Sequence, residues 1–183
     1  MKLNKEHLRG ADIVDLKDIP DCEFVEDVQD DCKSLVEAYD LCLKMERACI
    51  KADGIGLSAV QVGVPLKLFV VKNPSAGRGK IDEFDHLVNC SYAEVKDASE
   101  SKRGIEGCLS LKNSDGTLKR YWVDRSNKIL VTGSRLSINE QGGLFLEGFQ
   151  DTLTDLHAVV YAHEIDHQNG ILISDIGEEI SIW

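Results

Sequence analysis

The alternation of apolar and polar residues divides the chain into two helical segments separated by a series of short extended ones. Apolar residues recur at steps of three and four from about 26 to 53, and this spacing predicts a helix that ends at Gly54. The same spacing returns from about 152 to 168, where Asn169-Gly170 ends a second helix. The chain is therefore expected to have a helix near each end.

The segments between the two helices alternate apolar and polar residues or are rich in branched residues, as strands are. The predicted strands comprise residues 66–71, 86–89, 92–95, 106–111, 128–132, 134–138 and 144–148. Residues 113–116 and 141–143 are turn signals, and residues 97–104 are predicted to form a polar loop. Because no regular strand–helix–strand repeat occurs, the pattern predicts an α+β fold. We expect mostly antiparallel sheets packed around the C-terminal helix, with an additional N-terminal helix.

Composition and charge narrow the class of protein. The 183 residues can bury a core, and we expect one domain over residues 1–183, with residues 1–25 its least defined part. An apolar content of 43% and a charged content of 29% are typical of a soluble globular protein. The net charge of −11, without a block of basic residues, argues against direct binding of nucleic acid, since phosphates need Lys and Arg.

The sequence contains no recognisable membrane or targeting segment. No run approaches the roughly 18 apolar residues of a membrane-spanning helix, and residues 1–10 lack the apolar core of a signal peptide. We therefore expect a cytoplasmic protein that begins at Met1 and has no membrane partner. The six cysteines accompany no secretory signal and no CxxC pair, so reduced thiols are expected rather than a disulfide framework.

The most informative pattern is His163-Glu164-Ile165-Asp166-His167, an HExxH sequence inside the second predicted helix. Because four residues are slightly more than one helical turn, the two imidazoles leave one face and can bind one ion. Glu164 lies beside that ion, where it can accept a proton from a water that the ion activates. Burying these polar groups on an apolar stripe is costly without a metal. The pattern predicts a metal site that needs a third ligand.

The third ligand can be sought by elimination. A metzincin-type third His would fall at Ile173, which cannot bind a metal. Thermolysin-like enzymes use a Glu on a further helix well downstream, and the acidic residues that follow His167 are too close to it for that arrangement. The upstream thiols remain. Among them Cys108 stands out, because the preceding Gly107 lets the backbone approach a ligand closely.

Three segments together resemble the motifs of the peptide deformylase family. Residues 54–61 (GIGLSAVQ) resemble its first motif, residues 106–110 (EGCLS) match its second, and residues 163–167 (HEIDH) match its third, in the family's order. The resemblance covers about residues 27–176. It implies a metal-dependent hydrolase that removes the N-formyl group from the N-terminal formylmethionine of new polypeptides and releases formate.

The chain departs from the family pattern at three motif positions. Ser58 stands where Ala is usual, Val60 where Pro is common, and Ala162 replaces the Gln that often precedes the first His. None is an expected ligand or base, but the loss of Gln at 162 removes a hydrogen bond that can steady a metal ligand. The short acidic C-terminus lacks the longer helix that docks some bacterial members on the ribosome, so ribosome docking is not expected.

The resemblance also implies roles for the motif residues. The expected ligands of one divalent ion are Cys108, His163 and His167. The expected base is Glu164, and the side-chain amide of Gln61 and the backbone N–H of Leu109 are expected to donate to the oxyanion. The resemblance favours Fe²⁺, and the ligand types also accept Zn²⁺, Ni²⁺ or Co²⁺.

The family binds its peptide as an added strand, with the methionine side chain in an apolar pocket. By resemblance and by apolar character, the expected substrate-binding residues are Ile55, Gly56, Glu106, Gly107, Leu156, Val159 and Val160. Lys119 or Arg120 is a candidate for contact with a longer peptide. The expected partners are N-formylmethionyl peptides of nascent chains, and the expected state is a monomer.

Two other hypotheses remain open. One is a metallopeptidase that uses the same HExxH chemistry, although the chain lacks a third ligand of protease type. The other is a relative that binds metal or peptide without turnover, against which the intact Glu164 and Gln61 argue.

Overall fold

The structure is a computed structural model that describes residues 26–73, 84–95 and 101–180. Its helices are α1 (Cys32–Lys51), α2 (Asp155–Gln168) and α3 (Ile173–Ile176). Its strands are β1 (Gly56–Ser58), β2 (Leu68–Lys72), β3 (Phe84–Glu94), β4 (Ser101–Lys112), β5 (Leu118–Ser126), β6 (Lys128–Ile138), β7 (Leu144–Thr154) and β8 (Glu178–Glu179). All pairs between these strands are antiparallel. The predicted combination of helices with antiparallel sheets is confirmed.

The strands form two sheets whose edges matter for the site. The larger sheet has the order β1-β2-β3-β6-β7, and the smaller has the order β4-β5-β8. Among the described strands, β1 and β4 each have a neighbour on one side only. A short 3₁₀ helix (Ala59–Val62) follows β1 and is fully buried.

The larger sheet is covered by a helix on each face, and β2 demonstrates this. Leu68 and Val70 pack in the cluster that contains the apolar face of α1, whereas Phe69 and Val71 pack in the cluster that contains the apolar face of α2. Successive side chains of a strand point to opposite faces, so β2 must be apolar at every position. This accounts for its uninterrupted apolar run, which the sequence identified as a strand.

Helix α1 begins later than predicted. The side chain of Asp31 accepts hydrogen bonds from the backbone N–H groups of Lys33 (3.1 Å) and Ser34 (3.0 Å), which caps the helix at that point. The residues before the cap are not helical: Glu26 forms a parallel bridge with Leu66, just before β2, and a side chain of β3 holds Val28. Asn89 binds Val28 through both backbone groups, accepting from its N–H (2.8 Å) and donating to its carbonyl (2.9 Å). The helical periodicity at Val28 was therefore accidental.

Two predicted pairs of short strands are single long strands. Residues 86–89 and 92–95 belong largely to β3, which continues through a bulge between Val88 and Ser91. Asn89 in that bulge has φ of 54°, a left-handed conformation that Asn tolerates. Residues 128–138 likewise form one strand, because Gly133 stays within the β6 ladder. Apolar alternation breaks at both points although the hydrogen-bonded ladder continues.

Two further boundaries and one whole strand differ from the prediction. β4 begins at Ser101, so much of the predicted polar loop 97–104 is strand, and residues 96–100 lie outside the described residues. Residues 152–154 complete β7 rather than opening α2. β5 was not predicted, because charged residues on its exposed face and Arg125 on its buried face obscure the alternation.

Two predictions about composition can be compared with the structure. The cysteines whose side chains are described, Cys42, Cys49, Cys90 and Cys108, are free thiols, as expected. Within the described ranges, no helix is long and apolar enough to cross a membrane.

Gly133 is expected to be intolerant of any side chain. A Cβ there would lie 2.4 Å from Sγ and 2.9 Å from Cα of Cys90, and the Cα is backbone that cannot move freely. We expect Gly133→Ala to lower the free energy of unfolding by about 2 kcal/mol, the scale of an overpacked core. Gly148→Ala in β7 is the matched control, since nothing lies within 4 Å of its Cβ. Equal urea midpoints for the two variants would contradict this prediction.

Candidate active site

The two faces of α2 carry different chemistry. Ala158, Tyr161 and Ile165 pack against the larger sheet. One turn away, His163 and His167 face Cys108 of β4 in the smaller sheet. The helix thus lies where it contacts both sheets, and its polar face closes the space between them.

Cys108, His163 and His167 converge on one point. The Nε2 atoms of the two histidines are 3.1 Å apart, and Sγ of Cys108 is 3.4 Å from Nε2 of His167. All three potential ligand atoms lie within 4.8 Å of one another. Cys108 and His167 are buried, and 11% of the His163 side chain is exposed. The three expected metal ligands are therefore brought together.

Glu106 orients the ring of His163. One carboxylate oxygen lies 2.9 Å from Nδ1 of His163, and the carboxylate is nine-tenths buried. A carboxylate at Nδ1 keeps a proton on that nitrogen, so Nε2 is the nitrogen directed at Cys108 and His167, and its lone pair can bind an ion once the ring is neutral. The side chain of Glu106 therefore acts on the His pair, while its backbone remains on the cleft side of β4.

A buried guanidinium holds Glu106 in place. Nε and Nη2 of Arg125 donate to the two oxygens of Glu106, at 2.6 and 3.2 Å. Nη1 of Arg125 donates to Asp166 of α2 at 2.8 Å, and the hydroxyl of Tyr92 donates to the other oxygen of Asp166 at 3.0 Å. This network joins β3, β4, β5 and α2 behind the His pair.

The network favours one positive charge at the His pair. Burial alone would lower the pKa of His163, but its hydrogen bonds to Cys108 and Glu106 outweigh burial and raise the pKa to about 10. Burial and the neighbouring His163 hold the pKa of His167 well below its usual value. Only one of the two rings therefore takes a proton near neutrality, and the position between them suits a single cation.

Glu164 is buried next to the three potential ligands, and its carboxyl binds a proton more readily than a carboxyl in water. Burial raises the pKa of its carboxyl to about 7, with His163 and Arg125 partly opposing the rise. Its Oε2 atom has no hydrogen-bond partner among the described residues. A Cβ on Gly56 would lie 2.5 Å from Oε1, so only glycine at that position leaves room for the carboxylate.

The side chain of Gln61 directs its amide group towards Cys108. Its carbonyl accepts from the backbone N–H of Ser58 at 2.8 Å. The amide nitrogen therefore faces the other way, donating to Oγ of Ser110 at 3.0 Å and lying 3.5 Å from Sγ of Cys108. Leu109 lies next to Cys108 in the part of β4 where the register with β5 shifts, a break that can re-aim backbone groups.

A cavity of about 220 Å³ opens in front of these groups. It is lined by every residue expected to bind substrate, namely Ile55, Gly56, Glu106, Gly107, Leu156, Val159 and Val160. Gln61, Leu109, His163 and Glu164 line it as well. Arg120, one of the two candidates for contact with a longer peptide, also lines it. Further lining residues that the sequence did not identify include Asp53, Ile105 and Leu118.

The sequence analysis missed the residues behind the His pair. Asp166 was visible inside the HEIDH pattern but had no assigned role. Arg125 carried a weak signal, because it continues the inward alternation of Tyr121 and Val123, but this signal requires β5 to be recognised first. Nothing local to Tyr92 indicates that its hydroxyl reaches α2.

The comparison with known protein families agrees with this geometry. The family model described as "Polypeptide deformylase" matches residues 21–180, which is most of the chain. The chain belongs to the peptide deformylase family. Peptide deformylases are hydrolases that remove the N-formyl group from nascent polypeptides, and the function predicted from the three motifs is confirmed at this level.

Individual peptide deformylases show the same relationship. The chain is 35% identical to peptide deformylase of Desulfotalea psychrophila over 131 residues, covering 72% of this chain and 68% of that protein. A "probable peptide deformylase" from Synechococcus phage S-SSM7 superposes with a TM-score of 0.71 at 29% identity, over 91% and 99% of the two chains. Peptide deformylase from Thermotoga maritima superposes with a TM-score of 0.65 at 26% identity, covering 94% of this chain and 98% of that chain.

Peptide deformylases use a single catalytic divalent metal ion, and the donor set here fits one. Ligand atoms around a tetrahedral ion lie about 3.3 to 3.6 Å apart. The 3.1 Å and 3.4 Å separations at His167 are close to these values without rearrangement. The carboxylate of Glu106 at Nδ1 of His163 is the kind of outer partner that metal-binding imidazoles have.

Arg125 is expected to be essential for stability. Arg125→Met would leave the carboxylates of Glu106 and Asp166 buried without their cation. The free energy of unfolding of the metal-free protein should fall by about 3–5 kcal/mol, as when one partner of a buried ion pair is removed. Arg103→Gln, which breaks an exposed ion pair on the same sheet, should cost no more than about 1 kcal/mol. Similar losses in urea unfolding for both variants would contradict the assigned difference.

Proposed function

We propose that this deformylase holds its single divalent ion with Cys108, His163 and His167, and that Glu164 is its proton acceptor. The observation that carries the proposal is the convergence of the three ligand atoms within 4.8 Å, next to a cleft that His163 and Glu164 line. We also propose that the two antiparallel sheets pack about α2, the helix that carries the metal site. We propose that residues 1–183 act as one catalytic domain.

We propose Fe²⁺ as the ion, on the resemblance to the family. One thiolate and two imidazoles are also compatible with Zn²⁺, Ni²⁺ and Co²⁺. The chemistry that such an ion supplies when bound is Lewis acidity, which lowers the pKa of a water molecule towards neutrality. A thiolate ligand makes the site sensitive to oxidation.

Glu164 moves the proton. With its pKa raised to about 7 by burial, the carboxylate accepts a proton from the attacking water and then donates it to the leaving amine. Gly56 supports this role because it leaves the carboxylate uncovered on the cleft side. Attack on the formyl carbon, followed by this transfer, releases formate and a free N-terminal amine.

Two donors meet the oxyanion that forms during the attack. The amide of Gln61 is already directed towards the ligand cluster by its bond to Ser58. The backbone N–H of Leu109 is the second proposed donor, and the register shift in β4 supports its release from the ladder with β5. A preorganised donor of this kind contributes about 3–4 kcal/mol to lowering the barrier.

The substrate binds as a strand between the two sheets. β1 and β4 are edge strands that line the same cavity through Gly56 and Gly107, so a peptide laid between them can pair with both. The methionine side chain enters the apolar part of the cavity formed by Ile55, Val159 and Val160, with Leu156 at its exposed rim. The edges supply affinity for any backbone, and the pocket supplies selection for methionine.

The proposed partners are the formylated ends of nascent chains. We propose that the protein acts as a cytoplasmic monomer, without docking on the ribosome through its C-terminus. The net charge of −11 supports the absence of direct nucleic-acid binding.

Removing the proposed base should abolish turnover without removing the ion. Glu164→Gln keeps the shape of the side chain but cannot accept the proton, so kcat for formate release should fall by about 10²–10⁴-fold. The bound metal, measured by elemental analysis of the purified variant, should stay at the wild-type level. Wild-type kcat in the variant would refute the assignment.

One assay separates the three functional hypotheses. The metal-loaded protein is incubated with formyl-Met-Ala-Ser, and both formate and peptide fragments are measured. Formate without internal cleavage supports the deformylase. Cleavage of internal bonds would favour a metallopeptidase, and bound metal without either product would favour a relative without turnover.

Metal binding should displace a proton. His163, whose pKa is raised to about 10 in the metal-free protein, is protonated near neutral pH and must lose one proton before both Nε2 atoms can bind an ion. Adding Zn²⁺ to the metal-free protein in weak buffer should therefore release at least one proton per chain. A pH electrode or indicator dye measures this, and stoichiometric binding with no release would refute it.

A further inference from the structure

The side chain of Arg120 crosses the strand that faces the proposed substrate. Arg120 and Gly107 are partners in the register between β5 and β4. A Cβ placed on Gly107 would lie 3.4 Å from Cδ, 3.2 Å from Cζ and 2.7 Å from Nη1 of Arg120. The side chain therefore lies across the bare backbone of Gly107, and its guanidinium lines the cleft. A larger residue at 107 would block this path.

Arg120 differs from the other two arginines of the smaller sheet. Arg103 pairs with Glu178, and Arg125 pairs with Glu106 and Asp166. Within the described ranges Arg120 has no carboxylate partner, and its side chain is exposed. The nearby Glu179 is already bound to Lys119 at 3.2 Å. The fold thus leaves one guanidinium unpaired, and it is the one that lines the cleft.

The acidic residues of the cleft do not neutralise this cation. Glu106 is turned inward to Arg125 and His163, and Glu164 is buried. Asp53 lines the same cavity but forms no ion pair with Arg120. A guanidinium in this state forms its strongest bonds with a carboxylate, through two parallel N–H donors.

We propose that Arg120 is a specificity residue that selects substrates with an acidic side chain shortly after the formylmethionine. This inference rests on the proposed function, since it places the peptide along the free edge of β4. Successive side chains of a strand point to opposite faces, so only one of the second and third substrate positions can meet Arg120. The contact is the same before and during reaction, so it should act on KM rather than kcat.

The test compares peptides that differ in one charge. Formyl-Met-Glu-Ser and formyl-Met-Ala-Glu are each measured beside their Gln and Lys counterparts, as KM and kcat of the metal-loaded protein. Dissociation constants are measured separately with the Glu164→Gln protein. We expect about five-fold tighter binding of Glu than of Gln at one position only, as for a partly exposed charged pair. Arg120→Gln should remove this preference, and Arg120→Glu should turn it into a preference for Lys.

Arg103→Gln is the matched control, because it removes the same charge from the same sheet outside the cavity lining. Loss of the preference in both variants would mean that the general field of the sheet is responsible and would overturn the proposal. Equal binding of Glu and Gln peptides by the wild type, or an equal rise in KM for all peptides in Arg120→Gln, would also overturn it. If no peptide yields formate but the Arg120-dependent difference in dissociation constants persists, the proposed function fails while this inference holds.

Discussion

The bond network of Arg125 is the interaction on which the site depends. One guanidinium binds Glu106 on the neighbouring strand and Asp166 on α2, so it fixes the distance between the smaller sheet and the helix that bears both histidines. A planar guanidinium binds both oxygens of one carboxylate and a second carboxylate through N–H groups in fixed directions, an arrangement that the ammonium group of a lysine does not fix. Because all three side chains are buried, solvent screens these bonds only weakly, and the position of Glu106 is passed on to the ring of His163.

The charges of this network also prepare the site for a cation. Two carboxylates and one guanidinium leave an excess of negative charge next to the His pair. In the metal-free protein His163 keeps a proton, because its hydrogen bonds to Cys108 and Glu106 outweigh burial and raise its pKa to about 10. A divalent ion bound by the same ligand atoms would supply positive charge in place of that proton. Glu164 lies outside the network, and burial keeps its carboxyl near the point of titration at neutral pH.

The proposed mode of substrate binding depends on the two sheets remaining separate. β1 and β4 would be interior strands if the sheets were joined, and the cleft between their edges would not exist. Two glycines adapt these edges: Gly56 makes room for the carboxylate of Glu164, and Gly107 makes room for the side chain of Arg120. In the proposed binding mode the backbone edges are indifferent to sequence, so discrimination between peptides falls to the apolar pocket and to Arg120.

Residues close together in the sequence were the ones that sequence patterns could place. The spacing of His163 and His167 sets both rings on one face of a helix, and helical periodicity is a local property. The resemblance of three short motifs then indicated Cys108, Gln61 and the substrate-binding residues. The structure brings Gln61 and the substrate-binding residues to one cavity, with Cys108 buried next to Gln61. Element boundaries were less predictable, because the non-helical conformation of Val28 depends on the side chain of Asn89, which binds its backbone from a distant strand.

Tertiary structure alone decided the partners of the buried charges and the exposed position of Arg120. Arg125, Asp166 and Tyr92 come from three distant segments, and their bonds form only when β5, α2 and β3 pack together. Arg120 and Arg125 are five residues apart on one strand. Strand alternation sends one into the core and the other to the surface, and the register with Gly107 gives the second its path into the cleft. The sequence by itself determined which atoms could bind a metal. Packing determined which charges surround that site, and it left the guanidinium of Arg120 for the proposed contact with the substrate.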